Sequence, residues 1–397
     1  MFFQRRFRMP ATRFVVALGV PLLVAIVTLA MVAAQAAGDC TAFALKAGGS
    51  LVYGRNMDYD YEHGLILVNK RHVSKSAFLL PLTVSSTKPA RWTSRYGSVT
   101  VSNIGREFPD TGMNEVGLVV CETTLEQSRY PDTDEREAIN VAQWIQYQLD
   151  KSATVKEVLA SLDAVRIFPP GKRGHHYFMC DASGDCATVE YLDGRAVVHH
   201  GEGLPVTVLT NDTYHASTAF LGEHVGFGGA ASIPQDNSSL ARFVRAANLL
   251  RTYHDESKLV DYAFRVLTAV AQGEDTKRSI VFDIAAKRLH FRTLSHPAVK
   301  FINLADVDYG CASPMQILDT KQPGQGDISD KLEIYTDQAH AHFMRTVLND
   351  NLEIKQIVAD PAAFVDEMTR YYATFKCDQR TVGQRDSRSR GSGDTPD

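Results

Sequence analysis

Residues 40–58 read CTAFALKAGGSLVYGRNMD, in which two apolar runs are separated by a pair of glycines. An apolar run starts at Cys40 and ends at the pair Gly48-Gly49, which suits a tight turn. A second apolar run follows and leads into Gly54-Arg55-Asn56-Met57-Asp58. Two such runs joined by a glycine turn are typical of a β-hairpin. We therefore predict two antiparallel strands, the first of which begins at the cysteine.

The residues before Cys40 have the composition of an export signal. Arginines precede an apolar run over residues 14–34, and small residues follow it. This order is typical of a secretory signal peptide. The run is also about as long as the roughly twenty residues that span a bilayer, so an uncleaved membrane anchor is the alternative. We expect a signal peptide over 1–36, a propeptide remnant over 37–39, and a periplasmic or secreted protein that meets the membrane only during export.

Downstream of the hairpin, strand patterns alternate with pairs of amphipathic helices. Apolar residues at helical spacing predict a helix over 137–149, another after a capping box at 154–157, and a second pair near 240–250 and 259–270. Sheets that alternate with helix pairs predict an α+β fold, in which two antiparallel sheets lie between helical layers. The predicted strands lie at 66–69, 99–102, 117–121, 176–180, 187–192, 206–209, 279–284 and 289–293.

The chain divides into three parts after the leader. We expect one large domain over residues 40–311. Beyond it the sequence is more polar, with helix patterns near 338–348 and 361–372, and predicts an extension over 312–378 that packs on the domain. Residues 379–397 are rich in Ser, Arg, Gly and Asp, which predicts a disordered tail.

Composition narrows the class of partner. The 397 residues are 44% hydrophobic and 22% charged, which is ordinary for a globular protein, and the formal net charge is -4. A chain without a basic excess is poorly suited to follow a phosphate backbone. We expect a small-molecule partner and no nucleic acid.

Six cysteines in an exported chain raise the question of disulfides. Cys180 and Cys186 flank a turn between two strand patterns, so they either face each other in a disulfide or remain two separate thiols. If Cys40 is a free nucleophile, five cysteines remain, and at least one other thiol is unpaired.

The chemistry that the sequence indicates centres on Cys40. If the leader is removed up to this residue, the cysteine carries both a thiol and its own α-amine, which titrates near 8 and is able to act as the general base. A nearby cation such as Arg55 favours the thiolate, and Asp58 is placed to orient the amine. The alternative is an ordinary ion pair of Arg55 with Asp58 at a strand end.

Five segments, taken together, resemble the choloylglycine hydrolase family, which includes bile salt hydrolases and penicillin V acylases. They occur in the family's order between Cys40 and about Cys311. The segments are Cys40-Thr41, Gly54-Arg55-Asn56-Met57-Asp58, Gly112-Met113-Asn114-Glu115-Val116-Gly117-Leu118, Val208-Leu209-Thr210-Asn211 and Ser239-Leu240-Ala241-Arg242-Phe243.

The resemblance implies a role for each matching residue. Cys40 is the nucleophile, Arg55 and Asp58 support it, Asn211 supplies a side-chain donor to the oxyanion, and Arg242 completes the polar site. It also implies the N-terminal-nucleophile αββα sandwich, removal of the residues before the cysteine, and no metal or cofactor.

The sequence departs from the family after Leu118. Bile salt hydrolases carry an Asn and some penicillin acylases a Tyr at a position that aligns with Thr124. A backbone N–H there could still donate to the oxyanion, but the threonine side chain cannot make the same substrate contact. In Gram-positive bile salt hydrolases the stretch that corresponds to residues 211–242 is longer and contributes to tetramer assembly. The resemblance therefore does not predict the oligomeric state, although a homo-oligomer is possible.

Two further groups of residues are weaker candidates. Tyr59, Tyr61 and Trp92 are candidates for the wall of an acyl pocket, although aromatic strand residues more often lie in a core. The histidine pairs 175–176 and 340–342 lack further ligands at a metal-binding spacing, so we expect no metal.

The sequence predicts hydrolysis of a linear amide through a thioester, of the kind catalysed by penicillin V acylases or N-acyl homoserine lactone acylases. The enzymatic alternatives are a bile salt hydrolase and an acid-ceramidase-type hydrolase of N-acyl amines. The alternative from another class is an exported binding protein whose cysteine is blocked or disulfide-bonded.

Overall fold

The computed structural model describes residues 40–378 except 80–86, 169–173, 255–257, 351–357 and 359. The predictions for the signal peptide, the propeptide remnant and the tail concern residues outside the described ones. Within the described ranges, no helix has both the length and the apolar character needed to cross a membrane.

The structure contains two large sheets, and each has helices on its outer face. Sheet A has the strand order β14-β1-β2-β15-β16-β17-β19, and sheet B has the order β13-β12-β11-β8-β7-β6-β3-β18-β20. The strands are β1 Thr41–Ala47, β2 Ser50–Asp58, β3 Leu65–Asn69, β4 Val73–Ser76, β5 Arg91–Thr93, β6 Ser98–Ser102, β7 Thr111–Asn114, β8 Val119–Thr124, β9 Ala138–Asn140, β10 Arg166–Phe168, β11 His175–Cys180, β12 Cys186–Leu192, β13 Arg195–His200, β14 Val208–Leu209, β15 Thr276–Asp283, β16 Arg288–Thr293, β17 Lys300–Asn303, β18 Gln316–Asp319, β19 Gly326–Asp327, β20 Glu333–Ile334 and β21 Lys376–Cys377.

Two helical layers complete the sandwich. The helices α4 and α5 pack on sheet A, and α1 packs on sheet B. The helices are α1 Trp144–Lys151, α2 Val155–Ala160, α3 Tyr214–Leu221, α4 Ser239–Arg251, α5 Leu259–Ala269, α6 Asp337–Asp350 and α7 Pro361–Ala373. The predicted αββα sandwich is therefore confirmed.

The predicted hairpin is present as β1 and β2, which pair from Thr41 opposite Asn56 to Ala47 opposite Ser50. Both turn glycines have positive φ, which a residue without Cβ adopts at no steric cost. Successive residues of β1 are buried because the strand lies between sheet B and the helices of its own sheet. Both faces of the strand that follows Cys40 are thus packed.

The predicted helix over 137–149 is wrong in its first part. Ala138 instead belongs to β9, where its backbone pairs with Arg166 on one side and bridges Pro89 on the other. The Asn140 side chain then accepts the N–H of Ala142, and the α-helix starts only at Trp144. Long-range backbone partners outweighed the local apolar spacing here. The helix start predicted at 154–157 is confirmed, since Thr154 accepts from the N–H of Glu157. The Glu157 carboxylate accepts from the N–H of Ala153, one residue before the N-cap.

The predicted strand over 117–121 begins later in the structure. Gly117 has a φ of +94° and closes a turn, in which its own N–H donates to the Asn114 carbonyl at 2.9 Å. The strand β8 therefore starts at Val119 and continues to Thr124.

Four of the six cysteines form disulfides. Cys180 and Cys186, which face each other across β11 and β12, are bonded, and so are Cys311 and Cys377. Cys40 and Cys121 are free and buried.

Candidate active site

Cys40 lies directly before β1, and the position of that strand brings the predicted site residues together. Strand β1 is paired with β2 on one side and with β14 on the other. Ala42 faces both Arg55 and Leu209 in this register. The cysteine therefore lies close to Arg55 on one neighbouring strand and to Asn211, which follows the other.

Arg55 crosses from sheet A toward sheet B beneath the cysteine. One terminal nitrogen, Nη2, lies 3.7 Å from Sγ of Cys40 and 3.8 Å from Oε1 of Glu122. The other, Nη1, donates to the backbone carbonyl of Asp110. Because the guanidinium is buried and held on both sides, it presents a fixed positive charge to the sulfur.

The sulfur is itself buried, and influences of opposite sign act on the pKa of its thiol. Burial raises the pKa of the Cys40 thiol, while the positive charge of Arg55 lowers it in part. The carboxylate of Asp58 raises this pKa, and the backbone N–H of Asp58 lowers it. The thiol thus needs a base as well as a cation to become a nucleophile at neutral pH.

The carboxylate of Asp58 is buried at the end of β2. It accepts hydrogen bonds from Nε2 of Gln272 at 2.7 Å and from the hydroxyl of Thr276. These donors fix the carboxylate, and its charge acts on the adjacent Cys40.

Asn211 connects the two sheets at the same end of the molecule. Its side-chain Nδ2 donates to the backbone carbonyl of Thr124 at 3.0 Å, and its backbone N–H donates to the Ser239 hydroxyl at 2.8 Å. Thr124 therefore contacts Asn211 through its backbone. Because an amide nitrogen carries two hydrogens, the other N–H of Asn211 is a candidate donor to a developing oxyanion.

Arg242, on α4, holds the cysteine and Asn211 in one frame. Nη1 donates to the Cys40 carbonyl at 2.9 Å and to the Thr41 hydroxyl at 2.7 Å, and Nη2 donates to Oδ1 of Asn211 at 2.9 Å. Nε donates to the Asn237 carbonyl at 3.1 Å. This fully buried guanidinium fixes the position of Cys40 relative to Asn211.

A buried hydrogen-bond network lies behind Asn211. Nε2 of His176 donates to the Thr210 carbonyl at 2.8 Å, and Nδ1 lies 3.0 Å from Oε1 of Glu190. The Thr123 hydroxyl donates to the same carbonyl at 2.6 Å. Burial acts to raise the pKa of Glu190, but hydrogen bonds from His176 and His199 outweigh it and lower this pKa to about 2. The peptide that carries Asn211 is thus held by side chains of sheet B.

The three aromatic candidates lie in two places. Tyr59 and Tyr61 come shortly after Asp58 in the chain, and their rings meet edge to face at 4.8 Å. Trp92 packs against Tyr147 in the layer between sheet B and α1, and its indole N–H donates to Asp150 at 2.7 Å. The structure does not bring Trp92 to Cys40, because sheet B lies between them.

Several residues of the site were missed by the sequence interpretation. Glu122 and Asp110 contact Arg55, and Gln272 with Thr276 hold Asp58. A signal existed for Glu122, since it is a charged residue in a strand whose other residues are uncharged. The contact between Asp110 and Arg55 is made by a backbone carbonyl, so no side-chain pattern indicates it.

The described residues contain no group of three or more His, Cys, Asp or Glu side chains suited to a metal ion. The residues around Cys40 instead supply a thiol, two guanidinium groups, a carboxylate and an amide. This set is suited to nucleophilic acyl transfer.

Comparison with known proteins agrees with this chemistry. The family model described as linear amide C–N hydrolases, choloylglycine hydrolase family, matches residues 40–317. A penicillin V acylase of Pectobacterium atrosepticum is 34% identical over 172 residues, which are 39% of this chain and 45% of that protein. The chain thus matches less than half the length of this curated relative.

Two solved structures share the fold. The penicillin V acylase of Agrobacterium tumefaciens is 27% identical, with a TM-score of 0.66, over 75% of this chain and 98% of its own. A variant of the conjugated bile acid hydrolase of Clostridium perfringens is 20% identical, with a TM-score of 0.60, over 73% of this chain and 98% of its own.

Proposed function

The chain belongs to the choloylglycine hydrolase family of linear amide C–N hydrolases, and from that premise we propose that Cys40 is its N-terminal nucleophile. The leader is removed up to this residue, which frees an α-amine beside the thiol. The protein then hydrolyses an amide through a thioester, with no metal or cofactor. The observation that carries the proposal is the contact of Nη2 of Arg55 with Sγ of Cys40 at 3.7 Å.

The proposed reaction has two halves. The α-amine accepts the thiol proton, the thiolate attacks the amide carbon, and the second N–H of Asn211 donates to the resulting oxyanion. The tetrahedral intermediate collapses, the C–N bond breaks, and the leaving amine takes the proton. Water activated by the same α-amine then attacks the thioester, which releases the acid and restores the thiol.

Removal of the leader is proposed on chemical grounds. An α-amine that serves as the base must be free, and a signal peptidase, self-cleavage or both can expose it. The carboxylate of Asp58 is held next to Cys40 by Gln272 and Thr276, which suits it to orient a terminal ammonium group. Two disulfides in the described structure favour an oxidising, exported location.

For substrate class, we propose that the enzyme hydrolyses the side amide of penicillin V or of an N-acyl homoserine lactone faster than it hydrolyses the amide of glycocholate or taurocholate. Thr124 offers its backbone to Asn211 and has no side-chain amide or phenol for a substrate contact. Narrow aryl-acetyl or fatty-acyl groups would meet Tyr59 and Tyr61 after Asp58, whereas Trp92 no longer belongs to this pocket. The relatives named as penicillin V acylases support the same order.

The nucleophile is tested by Cys40→Ala and Cys40→Ser in the processed enzyme. We expect no detectable turnover for the alanine variant and very little for the serine variant. The mass of the intact protein, with and without a thiol reagent, reports whether Cys40 is accessible and labelled. Cys121→Ala is the matched control, because Cys121 is also free and buried but hydrogen-bonds Tyr53 in the core. Normal turnover in Cys40→Ala would mean that a different group is the nucleophile, whereas a wild-type protein that binds amides but turns none over would be an exported binding protein.

The substrate class is tested by measuring kcat/KM for all four compounds on one preparation, since this ratio ranks competing substrates. We expect penicillin V or the homoserine lactone to lead. If the bile salts lead by about tenfold or more, the Thr124 argument fails and the enzyme is a bile salt hydrolase. A long-chain N-acyl amine in the same panel tests the acid-ceramidase alternative.

A further inference from the structure

The C-terminal extension, residues 312–378, lies almost entirely beyond the family match, which ends at residue 317. We propose that this extension is a positioning clamp, which fixes the loop over residues 103–110 and, through that loop, holds Arg55 against Cys40. The proposal rests on the proposed role of Cys40 as the nucleophile. It gives the segment beyond the family match a task in the reaction.

The clamp grips the loop at Arg106 through both the backbone and the side chain. The N–H of Arg106 donates to Nε2 of His340 at 3.0 Å, and its carbonyl accepts from the Tyr372 hydroxyl at 2.8 Å. Its guanidinium lies 5.3, 5.2 and 5.1 Å from the ring centres of Tyr335, Tyr372 and Phe375. An arginine placed between three aromatic rings gains cation–π attraction, and this side chain is largely shielded from solvent. Every one of these partners belongs to the extension.

His340 is suited to its part in the grip. Burial, with a contribution from Arg106, lowers the pKa of His340 to about 3, so the ring is neutral at working pH. A neutral imidazole leaves one nitrogen as an acceptor, and here Nε2 accepts the backbone N–H of Arg106. The same ring lies so close to Gly105 that a Cβ on this glycine would meet Nε2 at 2.5 Å. The extension and the loop are therefore fitted closely to each other.

The loop has a backbone conformation that needs such support. Glu107 has a φ of +69°, which is unfavourable for a residue with a Cβ. Its carboxylate is buried and pairs with Nζ of Lys75 at 2.9 Å, and that ammonium also pairs with Asp150 at 2.9 Å. A strained residue persists when surrounding contacts determine its conformation. Without the contacts to Arg106, the neighbouring Glu107 would be able to leave its unfavourable backbone conformation.

The other end of the loop reaches the active site. The N–H of Asn103 donates to Oδ2 of Asp110 at 2.8 Å and closes the loop on itself. The carbonyl of Asp110 accepts from Nη1 of Arg55, whose Nη2 lies 3.7 Å from Sγ of Cys40. The extension is thus connected to Sγ of Cys40 through the closed loop over residues 103–110 and the guanidinium of Arg55. A displacement of Asp110 moves the cation that stabilises the thiolate.

The end of the extension is tied down covalently. The bond from Cys377 to Cys311 joins the residue two places after Phe375 to the end of the family-like domain. Strand β21 also pairs with β4, next to Lys75. The aromatic partners of Arg106 therefore lie between anchored ends.

The experiment uses the full-length processed enzyme with Tyr372→Phe, which removes only the hydroxyl that donates to Arg106, and with Arg106→Gln, which removes the guanidinium. The rate of Cys40 alkylation by iodoacetamide is measured against pH, together with kcat and KM. Because Arg55 loses part of its fixed position, we expect the apparent pKa of the thiol to rise by about 0.5 to 1 unit. We expect kcat/KM at pH 7 to fall about three- to tenfold, mainly through kcat.

Two matched controls separate positioning from general stability. Tyr262→Phe removes a hydroxyl that also donates to a backbone carbonyl at 2.8 Å, that of Leu249, far from the loop. The Cys311→Ser/Cys377→Ser pair is compared with Cys180→Ser/Cys186→Ser. We expect only changes at the clamp to shift the alkylation profile, whatever happens to Tm.

The proposal is overturned if Tyr372→Phe and Arg106→Gln both leave the alkylation profile and kcat/KM unchanged. If Arg106→Gln does not fold, the single-hydroxyl variant decides. Failure of the proposed nucleophile gives a different result, because alkylation of Cys40 in the wild-type enzyme would then leave turnover intact.

Discussion

Arg242 and Asn211 share a hydrogen bond of 2.9 Å, and the guanidinium that makes it also holds the carbonyl oxygen of Cys40 at 2.9 Å. The attacking residue and the proposed oxyanion donor are therefore fixed relative to one another by one planar group. A planar guanidinium can bridge two acceptors at a set angle, which a lysine ammonium on a flexible stem cannot do.

Arg242→Lys should retain the positive charge but lose the bridge. We expect kcat to fall on the order of a hundredfold with a smaller change in KM, because misplacement of reacting groups by about 1 Å has this scale of cost. Arg245→Lys is the control, since Arg245 is one turn along α4 and binds the carbonyls of Pro234, Asp236 and Ala269. Equal loss in both variants would mean that the effect comes from the helix and not from the bridge.

Asn211→Ala removes the amide that bonds Thr124 and is proposed to meet the oxyanion. Loss of one such donor typically lowers turnover about a hundredfold to a thousandfold, so kcat should fall strongly while KM changes little. Steady-state kinetics on the preferred substrate measure both constants. A variant with raised KM and normal kcat would reassign Asn211 to substrate binding.

His176 should act on the reaction through the peptide that carries Asn211. His176→Leu removes the donor to the Thr210 carbonyl and leaves the buried carboxylate of Glu190 with one partner fewer, so we expect lower stability and about a tenfold lower kcat. His176→Gln keeps a donor near the position of Nε2 and should restore part of kcat. If the glutamine and leucine variants lose kcat equally, the hydrogen bond to Thr210 has no positioning role.

Asp110 should make stability depend on pH. Burial raises the pKa of its carboxyl to about 6, against about 3.9 in an unfolded chain, and Arg55 opposes part of the rise. Because the folded protein holds this proton more tightly, the contribution of Asp110 to stability is best below about pH 4 and is lost as the pH rises through 6. Asp110→Asn, whose side-chain oxygen can still accept from Asn103, should therefore gain up to ~2 kcal/mol relative to wild type between pH 4 and pH 7.5.

Urea unfolding of both proteins at the two pH values measures this difference. The same free-energy difference between variant and wild type at pH 4 and at pH 7.5 would mean that the Asp110 carboxyl does not titrate in this range.

The first residue of the active enzyme is the remaining prediction. If the α-amine of Cys40 is the base, N-terminal sequencing of fully active protein should begin at Cys40. Fully active protein that begins at Ala37, Gly38 or Asp39 would remove the amine from the mechanism.

The hairpin at the start of the domain could be predicted because its information is local. Apolar runs and the pair Gly48-Gly49 specify β1, the turn and β2, and the structure has them at the predicted place. The αββα order could also be predicted. Apolar spacing indicated the helix pairs, and the resemblance to the family indicated the sandwich.

The bonds that make the site could not be predicted in the same way. Arg242 lies 202 residues after Cys40, and its bond to the Cys40 carbonyl depends on α4 packing beside β1. Backbone acceptors, such as the Asp110 carbonyl, have no residue type by which a sequence could identify them. Trp92 was a candidate for the pocket wall, but an aromatic strand residue more often lies in a core. In the structure it packs against Tyr147 in a core layer, and its indole N–H donates to Asp150.

The two disulfides differ in what they do to the unfolded chain. Cys180 and Cys186 are 6 residues apart, whereas Cys311 and Cys377 are 66 apart. A crosslink lowers the conformational entropy of the denatured chain, and the loss grows with the logarithm of the number of residues in the loop that it closes. The longer loop therefore contributes about 2 kcal/mol more to stability. The bond at the end of the extension therefore restricts the unfolded chain more than the hairpin bond does, and its reduction should cost the folded protein more stability.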